Sequence, residues 1–478
     1  DSERVLVATS EPMARDWVPD LQHLSRRRIE VVLVNPLDLH RYSMEFFGVT
    51  RSIRNARNDS RDGGNATTLP SFEQLVELGS SGDVNADDHH VVSIVDWLLQ
   101  YAYEQRASDI HLEPRRDMGR VRFRIDGVLH KVFELPPSVM TAVVSRIKVL
   151  GRMDLAERRR PQDGRIKTRS PGGREVEMRL STMPTAFGEK CVMRIFDPDS
   201  TFKSIEQLGF SPEEAAGWNE LVARPHGIVL VTGPTGSGKT TTLYSTLKRL
   251  ATPDVNVCTV EDPIEMIAPE FNQMQVQTNI DLDFASGVRT LLRQDPDIIM
   301  IGEIRDLETA QMAVQASLTG HLVLSTLHTN DAPSAITRLL DLGVPHYLIA
   351  STVNGVLAQR LVRTLCGNCK EAYEPGEEVR KRSGLARFSE VGQPIYRAVG
   401  CNACRQTGYK GRTGIHELFV LDEPMRNAIN AGKDSNELFN LAAKSGMLSL
   451  HEDGLRKVAA GMTTLDEVAR VTQDQIDG

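Results

Sequence analysis

The segment Gly233-Pro234-Thr235-Gly236-Ser237-Gly238-Lys239-Thr240 constrains this chain more than any other. It follows the apolar run Ile228-Val229-Leu230-Val231 and opens a stretch of helical composition from Thr241 to Leu250. That is the strand–loop–helix setting which G-x-x-x-x-G-K-[ST] requires. Glycines there let the backbone close around a polyphosphate, with successive N–H groups and the positive end of the following helix facing the anion. In such a loop Lys239 reaches the β- and γ-phosphates, and Thr240 holds Mg2+ through its hydroxyl. A glycine-rich turn without a ligand is the bland alternative, and the flanking strand and helix speak against it.

At about 150 residues per domain, 478 residues make about three domains. Hydrophobic content of 40% and charged content of 25% are those of a soluble globular chain. No run approaches the ~18–20 consecutive apolar residues of a membrane span. The opening Asp1-Ser2-Glu3 lacks the basic start and apolar stretch of a signal peptide, and without a Met it reads as a trimmed product. A net charge of −8 speaks against general affinity for nucleic acid, although a local basic groove stays open. These features predict a cytosolic protein, its membrane association peripheral or through a partner.

Residues 1–50 carry two strand-like runs, Val5-Leu6-Val7-Ala8 and Val31-Val32-Leu33-Val34, around a helix through Leu21, and read as a small α/β piece. Over 51–90 apolar residues thin out and Asn, Asp, Ser and Gly cluster, which predicts a tether with one short amphipathic stretch from Phe72 to Leu78. Residues 91–203 read as an α+β domain with an antiparallel sheet. Helical spacing covers Val92 to Glu104, alternation covers Arg120 to Ile125, and Asp126-Gly127 turns the chain into Val128-Leu129-His130. A second strand pair, 165–168 and 175–179, joins across Ser170-Pro171-Gly172-Gly173. Short apolar runs at 228–231, 256–260, 298–301 and 322–326 alternate with helices, predicting an α/β nucleotide-binding core over 204–362. A cysteine-bearing module follows at 363–416, and residues 417–478 read as helical.

Four further patches suit hydrolysis. Asp297-Ile298-Ile299-Met300-Ile301-Gly302-Glu303 is an apolar strand ending in an acid, the form of a Walker B element, with Glu303 where Asp is more usual. Thr259-Val260-Glu261-Asp262-Pro263-Ile264-Glu265 follows another strand and emerges at the same sheet edge, where a carboxylate can orient or deprotonate water. Alone it reads as a solvated acidic turn, and whether Glu261 or Glu265 acts is open from spacing. His328 ends the run Leu318 to His328, placed to sense a γ-phosphate, although a single His at a strand end is more often structural. Arg289, Arg293, Arg305 and Arg338 flank these patches, and arginines can neutralise charge in phosphoryl transfer. Most arginines are surface ion-pair partners instead.

Of six cysteines, Cys191 and Cys258 sit singly in apolar runs as small buried hydrophobes. The other four form Cys366-Gly-Asn-Cys369 and Cys401-Asn-Ala-Cys404, the thiolate set of a tetrahedral Zn2+ site. All four positions being sulfur, such a zinc is structural and folds an otherwise weakly apolar stretch.

Taken in order, Ala107-Ser108-Asp109-Ile110-His111, Arg160-Pro161-Gln162-Asp163-Gly164-Arg165, the Walker A segment, Glu261 to Glu265, Gly302-Glu303-Ile304-Arg305-Asp306, Thr319-Gly320-His321 through His328-Thr329-Asn330, and the paired CxxC resemble the ATPases of type II secretion and type IV pilus assembly. The likeness runs from Val91 to the C-terminus, and Ala313 to Leu318 looks closer to the type II branch. It implies an α/β fold: a RecA-like P-loop ATPase core preceded by an α+β (PAS-like) domain, with the tetracysteine zinc module and a helical C-terminal region. It also implies a homo-hexameric ring, with ATP and Mg2+ bound between the α+β domain and the RecA-like core. Motif by motif, Glu265 becomes the catalytic carboxylate, Glu303 the Walker B acid, and Lys239 and His328 catalytic partners. Gly233 through Thr240 and Thr241 become the nucleotide-binding set; Arg179, Arg194, Arg289, Arg293, Arg305 and Arg338 become phosphate or subunit-interface contacts.

The implied function is a cytoplasmic motor, peripheral at the bacterial inner membrane, whose ATP hydrolysis drives pseudopilus assembly and protein export. Residues 1–50 resemble a partial N-terminal domain that docks on an inner-membrane protein, and a membrane platform protein is the second partner. A type IV pilus extension motor is the near alternative. A nucleic-acid translocase is the distant one, and an aromatic content of 5% with no basic strand-binding patch counts against nucleic acid as a partner.

Overall fold

The computed structural model describes residues 4–11, 13, 15–25, 27–35, 87–169, 175–196 and 203–472. Residues 51–86 of the expected tether, its amphipathic stretch included, and the turn at 170–173 lie outside the described residues. The chain divides into two compact units, Asp1–Phe196 and Asp197–Gly478. No helix among the described residues is long and apolar enough to cross a membrane.

In the first unit β1 (Arg4–Thr9), α1 (Val18–Ser25) and β2 (Arg28–Leu33) form a βαβ piece, its strands parallel with Arg4 opposite Arg28. Helix α2 (His89–Glu104) begins inside the stretch assigned to the tether, so the boundary at 90 falls within a helix. Val91, Val95, Leu98 and Ala102 recur along it at helical spacing and are buried, which is why the helix starts this early. Then come β3 (Asp109–Glu113), β4 (Gly119–Ile125), β5 (Val128–Leu135), α3 (Pro137–Leu150), β6 (Gln162–Arg169), β7 (Glu175–Thr185) and β8 (Gly188–Phe196). The strands make a six-stranded antiparallel sheet in the order β5-β4-β3-β8-β7-β6. Asp126 (φ 50°) and Gly127 (φ 87°) both take positive φ, as a two-residue hairpin turn between β4 and β5 demands. Alternation sends Val121, Phe123 and Ile125 into a core with Ile110, Leu112 and the apolar sides of α2 and α3. Across the sheet Arg124, Asp109, Arg194, Arg179 and Arg165 stand opposite one another in register.

The second unit begins with α4 (Pro212–Val222) and continues through β9 (Gly227–Thr232), α5 (Lys239–Leu250), β10 (Val257–Glu261), β11 (Asn272–Gln275), α6 (Phe284–Leu291), β12 (Ile298–Ile301), α7 (Leu307–Leu318) and β13 (Leu322–Leu327). Next are α8 (Pro333–Asp341), α9 (His346–Thr352), β14 (Val353–Leu365), β15 (Glu371–Tyr373), α10 (Glu377–Ser383), β16 (Ile395–Arg397) and β17 (Tyr409–Val420). The chain closes with α11 (Glu423–Asn430), α12 (Ser435–Lys444), α13 (Leu450–Ala459) and α14 (Leu465–Thr472).

Among the described residues the main sheet has the order β11-β10-β12-β13-β9-β14-β17, parallel from β11 to β14, with β17 antiparallel to β14. Every residue of β9 is buried, since a parallel strand covered on both faces reads as one apolar run. Ile228 and Leu230 enter the layer of Val260, Val288, Ile301 and Ala313, while Val229 and Val231 enter that of Trp218, Tyr244 and Leu247. The C-terminal helices start on capping boxes, Asp434 with Glu437 and Ser449 with Glu452, which satisfy amides at each first turn.

The limits expected for core and cysteine module, 362 and 363–416, shift. Strand β14 continues to Leu365 and β17 begins at Tyr409, pairing from Gly355–Val420 to Leu365–Tyr409, so both expected limits cut through strands of the main sheet. The cysteine module is the insertion 366–408 between those two strands.

Candidate functional site

Strands β9, β13, β12 and β10 are neighbours, and their C-terminal ends carry the loop at Gly233, His328, Glu303 and Glu261 respectively. That edge is where parallel sheets bind ligands. Gly233 (φ 142°) and Gly238 (φ 89°) take backbone conformations that side chains disfavour. A Cβ at Gly233 would collide with the Gln359 carbonyl oxygen, and one at Gly238 would come within 2.7 Å of Gln359 Nε2. The loop therefore packs tightly on β14. Lys239 donates from Nζ to the Gly233 carbonyl (2.7 Å) and the Pro234 carbonyl (3.2 Å). Burial lowers its ammonium to about 8, and Glu303 works in the opposite direction. Ser237 Oγ is buried without a hydrogen-bond partner. An orphaned hydroxyl and a lysine turned onto carbonyls fit a phosphate group, whose oxygens accept more strongly than carbonyls. Pro234, Thr235, Gly236 and Thr240 are exposed and Thr241 is half-buried.

Glu303 sits between Arg305, which donates to its Oε1, and His328, whose Nε2 is 3.5 Å from Oε2. Its position is set by Gly302, which donates to the Val260 carbonyl on one side (2.8 Å) and accepts from Thr326 Oγ1 on the other (2.8 Å). Partial burial and the nearby Lys239 charge lower the His328 pKa, which favours a neutral imidazole. Lys239, Glu303, Arg305 and His328 therefore form one electrostatic cluster.

Glu261 and Glu265 have different surroundings. Glu261 is 3% exposed and accepts from the Tyr244 hydroxyl (2.6 Å), Thr259 Oγ1 (2.7 Å) and Gln273 Nε2 (3.2 Å). Glu265 is half-buried, and its backbone N–H lies 3.4 Å from Glu261 Oε2. The first carboxylate is enclosed by donors. The second lies just beyond it on the loop.

The remaining arginines have other surroundings. Arg289 pairs with Glu308 (3.3 Å), Arg293 donates to the Arg289 carbonyl (2.8 Å), and Arg338 is exposed in the last turn of α8. In the other unit Arg194 donates to Asp109 (3.0 Å), and Arg179 stacks over the Phe196 ring at 4.7 Å.

Several residues that hold this edge together carry no motif. Thr232 Oγ1 accepts from the Thr329 amide (2.8 Å) and lies 2.7 Å from the Thr329 hydroxyl, tying the His328 loop to the strand before the phosphate loop. Gln359 bonds Ser237 and Thr242. Buried Arg360 reaches Asn330 (3.4 Å) and the Val471 carbonyl. A glutamine and arginine inside a strand would have been the available signal, since polar groups buried there must be partnered.

The four cysteine sulfurs lie within 4.8 Å of one another, with Cys366–Cys401 at 3.9 Å and both Cys369–Cys404 and Cys401–Cys404 at 3.7 Å. A tetrahedron with Zn–S bonds of ~2.3 Å has sulfur–sulfur edges of ~3.8 Å. Burial opposes ionisation of Cys404, yet amide donors from Cys401 (3.1 Å) and Gly408 (3.2 Å) and the neighbouring cysteines bring it to about 7. Glu214, His416 and Asp453 also approach one another, but Arg456 and Lys457 pair with the carboxylates, so that group is an ion-pair network.

Residues 84–470 match the family described as type II/IV secretion system protein. The type IV pilus assembly ATPase TfpB of Acinetobacter baylyi is 54% identical over 98% of this chain and 80% of its own length. The type II secretion system protein HxcR of Pseudomonas aeruginosa is 52% identical over 81% of this chain and 78% of its own. Among solved structures the pilus retraction motor PilT with bound ADP superposes with a TM-score of 0.56 at 26% identity, covering 80% of this chain and 98% of that one.

Proposed function

We propose a function that starts from membership: the chain belongs to the type II/IV secretion system protein family, and within it the chain is an ATP hydrolase. The work done is type II secretion, with hydrolysis driving pseudopilus assembly and protein export from a homo-hexamer. The ring acts at the cytoplasmic side of the inner membrane, peripheral and held there by a docking protein and a platform protein. The single observation that carries the reading is the phosphate loop facing Glu303, Arg305 and His328 at the ends of adjacent parallel strands.

In this reading the amides of Gly233 to Thr241 and the Lys239 ammonium bind the phosphates. Mg2+, when bound, would supply positive charge against the negative charge of the phosphates. Thr240 and Glu303 are the residues that would hold it. Glu265 orients the attacking water and takes its proton, because Glu261 is occupied by its own donors. Neutral His328 reads the γ-phosphate through a ring N–H. Arg305, beside Glu303, serves the same phosphate, while Arg289, Arg293 and Arg338 belong to subunit contacts. Arg179 and Arg194 are the α+β unit's candidates for phosphate or subunit-interface contacts, in a row where Arg124 and Arg194 pair with Asp109 and Arg165 with Glu177. Cys366, Cys369, Cys401 and Cys404 hold a structural Zn2+.

A second reading, type IV pilus assembly, is favoured by the 54% identity to TfpB over 98% of the chain. The test of the common reading is Lys239→Ala, which should abolish ATP turnover while the chain stays folded; unchanged turnover overturns it. Stimulation of turnover by single-stranded DNA, and not by the cytoplasmic domain of a secretion membrane protein, would replace the motor by a translocase.

A further inference from the structure

We propose that Gln359 is the positioning residue that decides which way the phosphate loop presents an amide to the nucleotide; the inference rests on the nucleotide reading of that loop. Gln359 is on β14, next to Ala358, which pairs with Thr232 at the end of β9. Its side chain is 2% exposed and leaves neither amide atom idle. Nε2 donates to the Ser237 carbonyl (2.8 Å), and Oε1 accepts from Thr242 Oγ1 (2.7 Å). The Ser237 carbonyl can only accept, so the nitrogen end of the amide must face it.

The consequence lies in the peptide between Ser237 and Gly238, which is trans. In a planar trans peptide the C=O and N–H point in opposite directions. With the Ser237 oxygen held against β14 by Gln359, the Gly238 N–H is directed to the side away from that strand, into the hollow of the loop. A phosphate cradle needs this arrangement, with carbonyls outward and amides inward, because an inward carbonyl would repel the anion. Gly238 tolerates the resulting φ of 89° only as glycine. The Lys239 side chain already serves the Gly233 and Pro234 carbonyls, so Gln359 is the donor that turns the Ser237 carbonyl. Among the side chains near its length, Met offers no donor, and an ionised Glu offers only acceptors where one donor and one acceptor are required.

The experiment compares Gln359→Met, Thr242→Val and Lys239→Ala in the full chain, reading the Kd for ADP, the KM and kcat for ATP, and thermal stability. Gln359→Met is expected to stay folded and to weaken ADP binding at least tenfold, with KM for ATP rising in parallel and kcat changing less. Thr242→Val also deletes a buried hydrogen bond but leaves Nε2 on Ser237, so ADP affinity should fall by less than threefold. A merely structural glutamine would make the two variants alike in both stability and affinity, and equal Kd values overturn the proposal. So does an ADP affinity within twofold of wild type in Gln359→Met. If Gln359→Met does not fold, Gln359→Leu removes the donor by a different side chain, and unchanged ADP affinity in that variant overturns the proposal as well. Lys239→Ala keeps the two readings apart: weakened ADP binding there with intact binding in Gln359→Met refutes the positioning role alone. Intact binding in both refutes the loop as a nucleotide site.

Discussion

Alanine at Glu261 and glutamine at Glu265 test the proposed division between a carboxylate that holds the fold and one that serves the reaction. Glu261 takes two short hydrogen bonds from hydroxyls and a longer one from Gln273 while 3% exposed. Bonds to a charged acceptor are worth ~1.5–3 kcal/mol each. The loss is softened because Tyr244 and Gln273 also reach the Met266 carbonyl, at 3.1 and 2.9 Å. Glu261→Ala should therefore cost about 3–5 kcal/mol, the loss of about two such bonds. At ~2–4 °C per kcal/mol for a unit of this size, the melting temperature falls by about 10 °C. Glu265→Gln changes a half-buried loop residue and should move it by no more than ~2 °C, while turnover falls ~10²–10⁴-fold as for a lost general base. Calorimetry of both variants with steady-state ATPase assays at a temperature where both are folded reads the difference. A Glu261→Ala protein that melts like wild type but no longer turns over ATP would refute the division of roles, as would full turnover by Glu265→Gln.

Two further outcomes follow from the C-terminal half. Elemental analysis should find about one zinc per chain, lost in Cys404→Ser together with protease resistance over 366–408; a metal-free, protease-resistant wild type would exclude the site. Glu467 is buried, which raises its pKa, but hydrogen bonds from Arg470 and from the Arg363 side chain and backbone bring it to about 2. Its folded value is below the unfolded one, so its contribution is complete above about pH 4.5 and is lost as pH falls toward 2. Glu467→Gln should be less stable than wild type by about 3 kcal/mol near neutrality. Urea midpoints should converge below about pH 4.5, and a gap independent of pH would contradict the assignment.

Strands β9 and β12 were legible because each is sheathed on both faces and so reads as an unbroken apolar run, as Ile228 to Val231 and Ile298 to Ile301 do. The loop was legible because its glycines and Lys239 do one chemical job at fixed spacing. Strands β14 and β17 hid for the opposite reason. Asn354, Gln359, Arg360, His416 and Glu417 are buried within them, and polar residues in a run argue for surface until their partners are known. Those partners are remote: Gln359 meets Ser237 and Thr242, and Glu417 accepts from the amides of Ala332 and Leu450. The same blindness left Glu261 and Glu265 indistinguishable, because the donors that enclose Glu261 come from Tyr244 and Gln273 on separate elements.

Strands β14 and β17 pair along most of their length, yet the chain between them runs from 366 to 408. For a folding chain that is a long loop to close. Cys366 follows β14 directly and its amide bonds the Gly408 carbonyl (2.9 Å), while Cys404 stands just before β17. A zinc ion on the four sulfurs would join the ends of the insertion, leaving the pairing strands a loop no longer than a short hairpin turn to close. Closure entropy changes by ~0.6 kcal/mol per doubling of length, so a roughly eightfold shortening favours the pairing by about 2 kcal/mol. Strand β14 is also the backing of the phosphate loop through Gln359. A zinc ion held there would thereby tie the forming of the loop's backing strand to the supply of metal.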